Sequence, residues 1–256
     1  MRLFRAISFL LCVAYALFSG CGKASSNKGN AIGVDESWFP LQMSGRENNV
    51  TGFSTDLLRD IGKMEKISLT KISVNWDDLV EGLHKGQYDA ILGSIPIYVF
   101  NQKIYDFSEL YLATGPVLVV LADSKIKSLK MLKDKEVAVL PDTKGAILLE
   151  KYPSIIIRTY DSVTKAFDDL IKGMVDGAIV DVLTAVSYCQ DLYQGQLQVA
   201  TEPLTNEGLR LITLHNQAQD LMEHFNHGLG KIKSSGTYEK LLVKWNLRER
   251  CSNKKD

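Results

Sequence analysis

The sequence predicts an α/β protein built as two lobes of like design, and three observations carry that expectation. Short apolar runs alternate with amphipathic stretches along most of the 256 residues, as strands and helices do around a largely parallel sheet. One helix–glycine–strand unit occurs twice. Two apolar runs, over residues 116–121 and 209–213, stand where the chain would cross from one lobe to the other and return. The length and the 45% hydrophobic content suffice for two lobes, each with its own core.

Taken in order, residues 31–34 (Ala-Ile-Gly-Val) form a first strand that ends at Asp35. Residues 44–51 read as a polar, hairpin-like stretch leading to Gly52-Phe53-Ser54-Thr55-Asp56-Leu57. A helix is expected from there, with Leu57, Leu58, Ile61 and Met64 on one face. A strand over 67–74 follows, then a helix over 77–85. That helix is stopped by Gly86, since glycine takes positive φ without a steric penalty. Residues 90–92 are a short buried strand. Beyond the first crossing run, 136–140 is a strand, and Pro141-Asp142-Thr143-Lys144-Gly145 opens a helix from Ala146. After the second crossing run come helices over 217–232 and 238–245, parted by Ser234-Ser235-Gly236-Thr237.

The repeated unit spans residues 83–94 and 170–181. Each copy has a helix end, a glycine stop (Gly86, Gly173), an Asp-led turn (Asp89, Asp176) and an apolar strand running to a polar residue (Ser94, Asp181). Open α/β sheets bind ligands outside the carboxyl ends of their strands. Ser94 and Asp181 are therefore equivalent candidates, one per lobe. The division expected is 31–115 with 206–250 for the first lobe, 116–205 for the second, and a tail over 251–256.

The N-terminus has another purpose. Met1-Arg2-Leu3-Phe4-Arg5 is basic, and residues 6–18 are apolar but too short for a comfortable membrane span. The run ends in Leu17-Phe18-Ser19-Gly20-Cys21, which resembles a bacterial lipoprotein signal. On that reading residues 1–20 are a signal peptide, Cys21 carries the lipid, and 21–30 are a flexible tether. Cys12 leaves with the signal, so Cys189 and Cys251 remain, and their spacing leaves a disulfide open. The 30 basic and 30 acidic residues balance, which argues against nucleic acid as a partner and against a polybasic hold on lipid. His84, His215, His224 and His227 show no metal-ligand spacing, and no catalytic triad order or phosphate loop is evident. No metal, no cofactor and no enzymatic activity are expected.

The pieces together resemble the extracellular solute-binding proteins of polar amino-acid ABC importers, over nearly all of residues 31–246. The motifs that carry the likeness are Ile32-Gly33-Val34-Asp35 with Trp38 and Pro40, and Gly52-Phe53-Ser54-Thr55-Asp56-Leu57. Asp106-Phe107-Ser108 with Tyr111, Leu132-Lys133-Asp134-Lys135 and Ser235-Gly236-Thr237-Tyr238 add to it. The resemblance implies a type II periplasmic-binding-protein fold with two crossing hinge strands. It further implies a monomer, lipid-anchored in the cell envelope, that captures a small polar, amino-acid-like ligand bearing an ammonium group. The ligand would be handed to an ABC permease in the inner membrane.

Site residues follow from the same resemblance. Asp35 and Trp38 would form the first cleft loop, and Trp76 a second aromatic contact, so that two indoles make a slot or a cation–π site. Gly93-Ser94-Ile95-Pro96 would hold ammonium and carboxylate groups. Thr143-Lys144-Gly145 would offer backbone N–H groups to a carboxylate, and Asp181 would pair with the ammonium. Asn101 stands where the family has an arginine, and asparagine supplies neither its charge nor its fork. Pro96 stands where a hydroxyl residue is common and lacks an N–H. Either Lys144 or Lys103 then holds the carboxylate, or the ligand has none in that place. Two alternatives accompany this reading. One is a sensor or surface-interaction lipoprotein with an altered pocket. The other is a dehydratase-like enzyme using Asp35, Asp142 or Asp181 as acid or base.

Overall fold

Strand β1 (Asn30–Val34) opens the described part of the chain; the computed structural model describes residues 29–41 and 43–248. The expected signal peptide, Cys21, most of the tether, Cys251 and the tail lie outside those residues. Helix α1 (Glu47–Glu65) follows, and it begins well before the expected start near Leu57. Val50, Phe53, Leu57, Leu58 and Ile61 are all buried at three- and four-residue spacing. One helical face therefore runs straight through the stretch that reads as a polar hairpin. Gly52 does not break the helix, because the Trp245 indole packs where its side chain would stand, 2.2 Å from an added Cβ.

The first sheet continues with β2 (Leu69–Ser73), helix α2 (Trp76–His84), β3 (Ala90–Gly93), β4 (Tyr105–Phe107) and β5 (Leu112–Ala113). The second takes β6 (Pro116–Leu121), β7 (Glu136–Val139), helix α3 (Lys144–Leu149), β8 (Ile156–Thr159), helix α4 (Val163–Ile171), β9 (Gly177–Asp181), helix α5 (Val182–Gln190) and β10 (Leu197–Val199). The chain then returns through β11 (Gly208–Leu214) to helices α6 (Gln219–Ser234) and α7 (Thr237–Lys244).

Strand order is β2-β1-β3-β11-β4 in the first sheet, with β5 also on β11, and β10-β6-β9-β7-β8 in the second. Read from one end, β2-β1-β3-β11 and β8-β7-β9-β6 are the same arrangement. In each, three parallel strands are followed by one antiparallel strand that arrives from the other lobe. The repeated sequence unit occupies the same place in both, with Gly86 and Gly173 at φ 68° and 73° ending α2 and α4. The expectation of largely parallel sheets is corrected: both are mixed. The crossing strands β6 and β11 insert beside β9 and β3 against their direction, and β4, β5 and β10 pair antiparallel to them.

Each sheet is covered on both faces. In the first, Phe53, Leu57 and Ile61 of α1 meet Phe225, Leu229 and Ile232 of α6 on one side. Leu79 and Leu83 of α2 pack with Tyr88 and Ile91 on the other. In the second, Phe167 and Leu170 of α4 pack with Val117, Val119 and Ala178. Leu149 of α3 packs with Val137, Val139 and Ile179 on the opposite face. Full burial of such side chains contributes about 1.5–3 kcal/mol each, so the two cores hold the sheets rigid while the links between them stay narrow.

Those links are two segments lying side by side. Thr114 N–H donates to the Glu207 carbonyl at 3.0 Å, and Leu204 N–H to that of Pro116 at 2.8 Å. Gly208 has φ 152°, and an added Cβ would stand 2.1 Å from the Leu112 carbonyl oxygen, so only glycine lets the returning chain lie this close.

Candidate ligand cleft

Topology brings the carboxyl ends of the parallel strands together. Gly93, the last residue of β3, pairs with Arg210, three residues after the crossing residue Glu207. Asp181, the last residue of β9, pairs with Pro116, where the other crossing enters the second sheet. Both strand ends therefore lie beside a crossing segment.

On the second-lobe side, Asp181 is half-buried at the N-terminus of α5 and makes no capping bond with its side chain. The peptide after it is tied to the hinge, since Val182 N–H donates to the Gly115 carbonyl at 3.1 Å. Burial pushes the Asp181 carboxyl above its ordinary range, Lys144 draws it back and Glu207 pushes it further up. Lys144 Nζ lies 3.1 Å from Glu207 Oε2, and the Thr205 hydroxyl donates to the same oxygen at 3.3 Å. A partly exposed pair of this kind contributes at most about 1 kcal/mol; its importance is that it sets where the lysine points. Thr143 spends its hydroxyl locally, donating to the Leu140 carbonyl at 2.8 Å and accepting from Ala146 N–H at 3.3 Å. Gly145 is buried against Ile179, whose Cγ2 would stand 2.6 Å from an added Cβ.

On the first-lobe side the expected residues divide. Asp35 is buried, but its carboxylate closes its own turn, accepting from Ser37 N–H at 3.2 Å and from the Ser37 hydroxyl at 2.6 Å. Trp38 does not line the cleft. It is 3% exposed, packed in the core beneath α1, and its indole N–H donates to Thr51 Oγ1 at 3.0 Å. A large apolar ring with a polar edge is best accommodated there, where its one donor finds a partner. The slot between two indoles is corrected accordingly. Phe39, 55% exposed, meets half-buried Trp76 edge-on with ring centroids 5.1 Å apart.

Past β3, Gly93 is buried, Ser94 and Ile95 are half-buried, and Pro96 is exposed, as are the large side chains from Ile97 to Phe100. Asn101 donates its side-chain amide to the Pro96 carbonyl at 2.8 Å and so closes this loop on itself. Lys103 is exposed nearby in sequence. The structure thus brings Asp181, Lys144 and Glu207 together beside the returning crossing, while Ser94 follows the end of β3 and Phe39 meets Trp76 in the first lobe. Glu207, Thr205 and Phe39 are absent from the sequence expectation. The polar run Thr205-Asn206-Glu207, lying just before a crossing strand, is the signal that would have found the first two.

Residues 31–248 match the bacterial extracellular solute-binding proteins, family 3. The chain is 28% identical over 229 residues to ABC transporter arginine-binding protein 1 of Escherichia coli (strain K12), covering 88% of this chain and 93% of that protein. It is 25% identical over 241 residues to the arginine-binding extracellular protein ArtP of Bacillus subtilis (strain 168), covering 91% and 94%. Among solved structures, the L-cystine solute receptor of Neisseria gonorrhoeae in its unliganded open conformation shares the fold. The TM-score is 0.67 at 18% identity, over 86% of this chain and 93% of that one.

Proposed function

The chain belongs to the bacterial extracellular solute-binding proteins, family 3, and on that premise we propose that it captures a small, ammonium-bearing, amino-acid-like ligand for an ABC importer. The observation that carries this reading is Asp181, a half-buried carboxylate at a converging strand end whose side chain caps nothing. A charge-assisted hydrogen bond from an ammonium group there contributes about 1.5–3 kcal/mol. We take residues 31–115 with 206–250 as one lobe and 116–205 as the other. The open form engages the ligand with one lobe, closure about the double crossing expels water, and the permease receives the closed form.

A ligand at about 100 times its Kd stabilises the folded chain by about 2.7 kcal/mol, a melting shift of roughly 5–10 °C at this size. A thermal-shift screen of amino acids, amines and short peptides is expected to yield such a shift, and Asp181→Asn to abolish it. Equal affinity of the variant would remove Asp181 from the site, and a library without a single shift would remove the capture function.

The family's extracellular place puts the chain in the cell envelope. The finer reading, a chain held by lipid on Cys21, is supported by the basic start, the short apolar run and the small residues before that cysteine. Cys21→Ser is expected to lose incorporation of labelled palmitate and to move the protein into the soluble envelope fraction; unchanged membrane retention would refute the anchor. Binding and release, without turnover, complete this reading.

A further inference from the structure

We propose that the ligand is a primary amine with an aromatic or aliphatic body and no carboxylate beside its amino group, in effect a decarboxylated amino acid. The inference rests on reading the converging strand ends as the capture site, and three features of that site carry it.

The first is charge. The crossing brings two acids together, Asp181 and Glu207, with Lys144 as the cation beside them, and Lys144 already lies 3.1 Å from Glu207. A carboxylate entering here would meet two like charges and a lysine that is already paired, whereas an ammonium finds an acid with no capping duty.

The second is the supply of neutral donors. The Thr143 hydroxyl is committed within its own turn. The Asn101 amide is turned onto the Pro96 carbonyl, and Pro96 itself has no N–H. Two of the neutral groups that could receive a carboxylate, the Thr143 hydroxyl and the Asn101 amide, are therefore engaged elsewhere.

The third is the wall. Phe39 and Trp76 form an edge-on aromatic pair beside the end of β1. Beyond β3, Ile95 is half-buried and Ile97 is 40% exposed. An apolar body gains from this surface by leaving water, and an aromatic pair also favours a cation over its ring faces.

Isothermal titration of the purified full chain with matched pairs tests this: L-phenylalanine against 2-phenylethylamine, L-tyrosine against tyramine, L-arginine against agmatine, and L-lysine against cadaverine. The expected result is an amine that binds at least tenfold more tightly than its parent. A parent that binds within tenfold of its amine, or more tightly, overturns the inference while leaving the capture function intact. If no member of any pair binds, the inference also falls, and the broader thermal-shift library then decides the capture function separately. Glu207→Gln releases Lys144 and Asn101→Arg adds a guanidinium fork. In either variant, checked for folding by circular dichroism, the preference for the amine should shrink at least tenfold. A folded Glu207→Gln protein with an unchanged preference would overturn the charge argument.

Discussion

Neighbouring residues Trp38 and Phe39 separate two tasks that are hard to tell apart in a sequence. Trp38 is a core residue with a satisfied indole N–H, and Phe39 is a surface ring beside Trp76. Trp38→Ala is expected to destabilise the chain by about 3–5 kcal/mol, because it leaves a cavity and an unpaired Thr51 hydroxyl. Phe39→Ala should change stability by less than about 0.5 kcal/mol but weaken any ligand that rests on the aromatic pair. Urea denaturation and titration of both variants would settle the assignment; a stable Trp38→Ala protein with lost binding would reverse it. The Trp38 ring could not be assigned from sequence, since an aromatic three residues after Asp35 suits a cleft loop and a core equally well.

At the scale of elements, Glu65 fastens the end of α1 to α6. Its carboxylate is nearly buried and accepts from His227 Nδ1 at 3.0 Å, His224 Nδ1 at 3.3 Å and Lys231 Nζ at 3.2 Å. The His227 bond is the largest cause holding its pKa at about 2, against burial, which pushes the other way, and with help from His224 and Lys231. A carboxyl whose folded pKa lies below its unfolded value adds stability above the unfolded value, near 4.5, and loses it as pH falls toward 2. Glu65→Gln should therefore be destabilised by about 1 kcal/mol at pH 7, modest because its partners are half-exposed. The difference should vanish as pH approaches 2. Urea midpoints across that range measure it, and a difference that persists at pH 2 would count against the carboxylate as its source. At this scale the sequence was readable where periodicity is local: β6 falls where its apolar run predicts. It misled at the start of α1, where buried Val50 and Phe53 lie within polar surroundings.

At the scale of the molecule, two rigid sheets joined by two adjacent segments make a hinge. A shift of a few backbone angles around Ala113–Pro116 and Leu204–Gly208 would move one lobe as a body. Small-angle scattering should show the radius of gyration contract when a saturating ligand is added, and Asp181→Asn should remove the contraction. A ligand that binds tightly without any contraction would rule out clamp closure as the working motion.

The sequence by itself determined the alternation of strands and helices, the two like units, the crossing runs and the family, because each depends on patterns within a few residues or on motifs in order. It placed Asp181 at a strand end for the same reason. Tertiary structure decided how the remaining candidate residues are placed. Whether Trp38 faces ligand or core depends on Thr51, whether Lys144 is available depends on Glu207, and the antiparallel strands depend on where each crossing arrives. Those are contacts between residues far apart in the chain, and no local pattern in a single sequence encodes which distant partner completes a hydrogen bond or neutralises a charge.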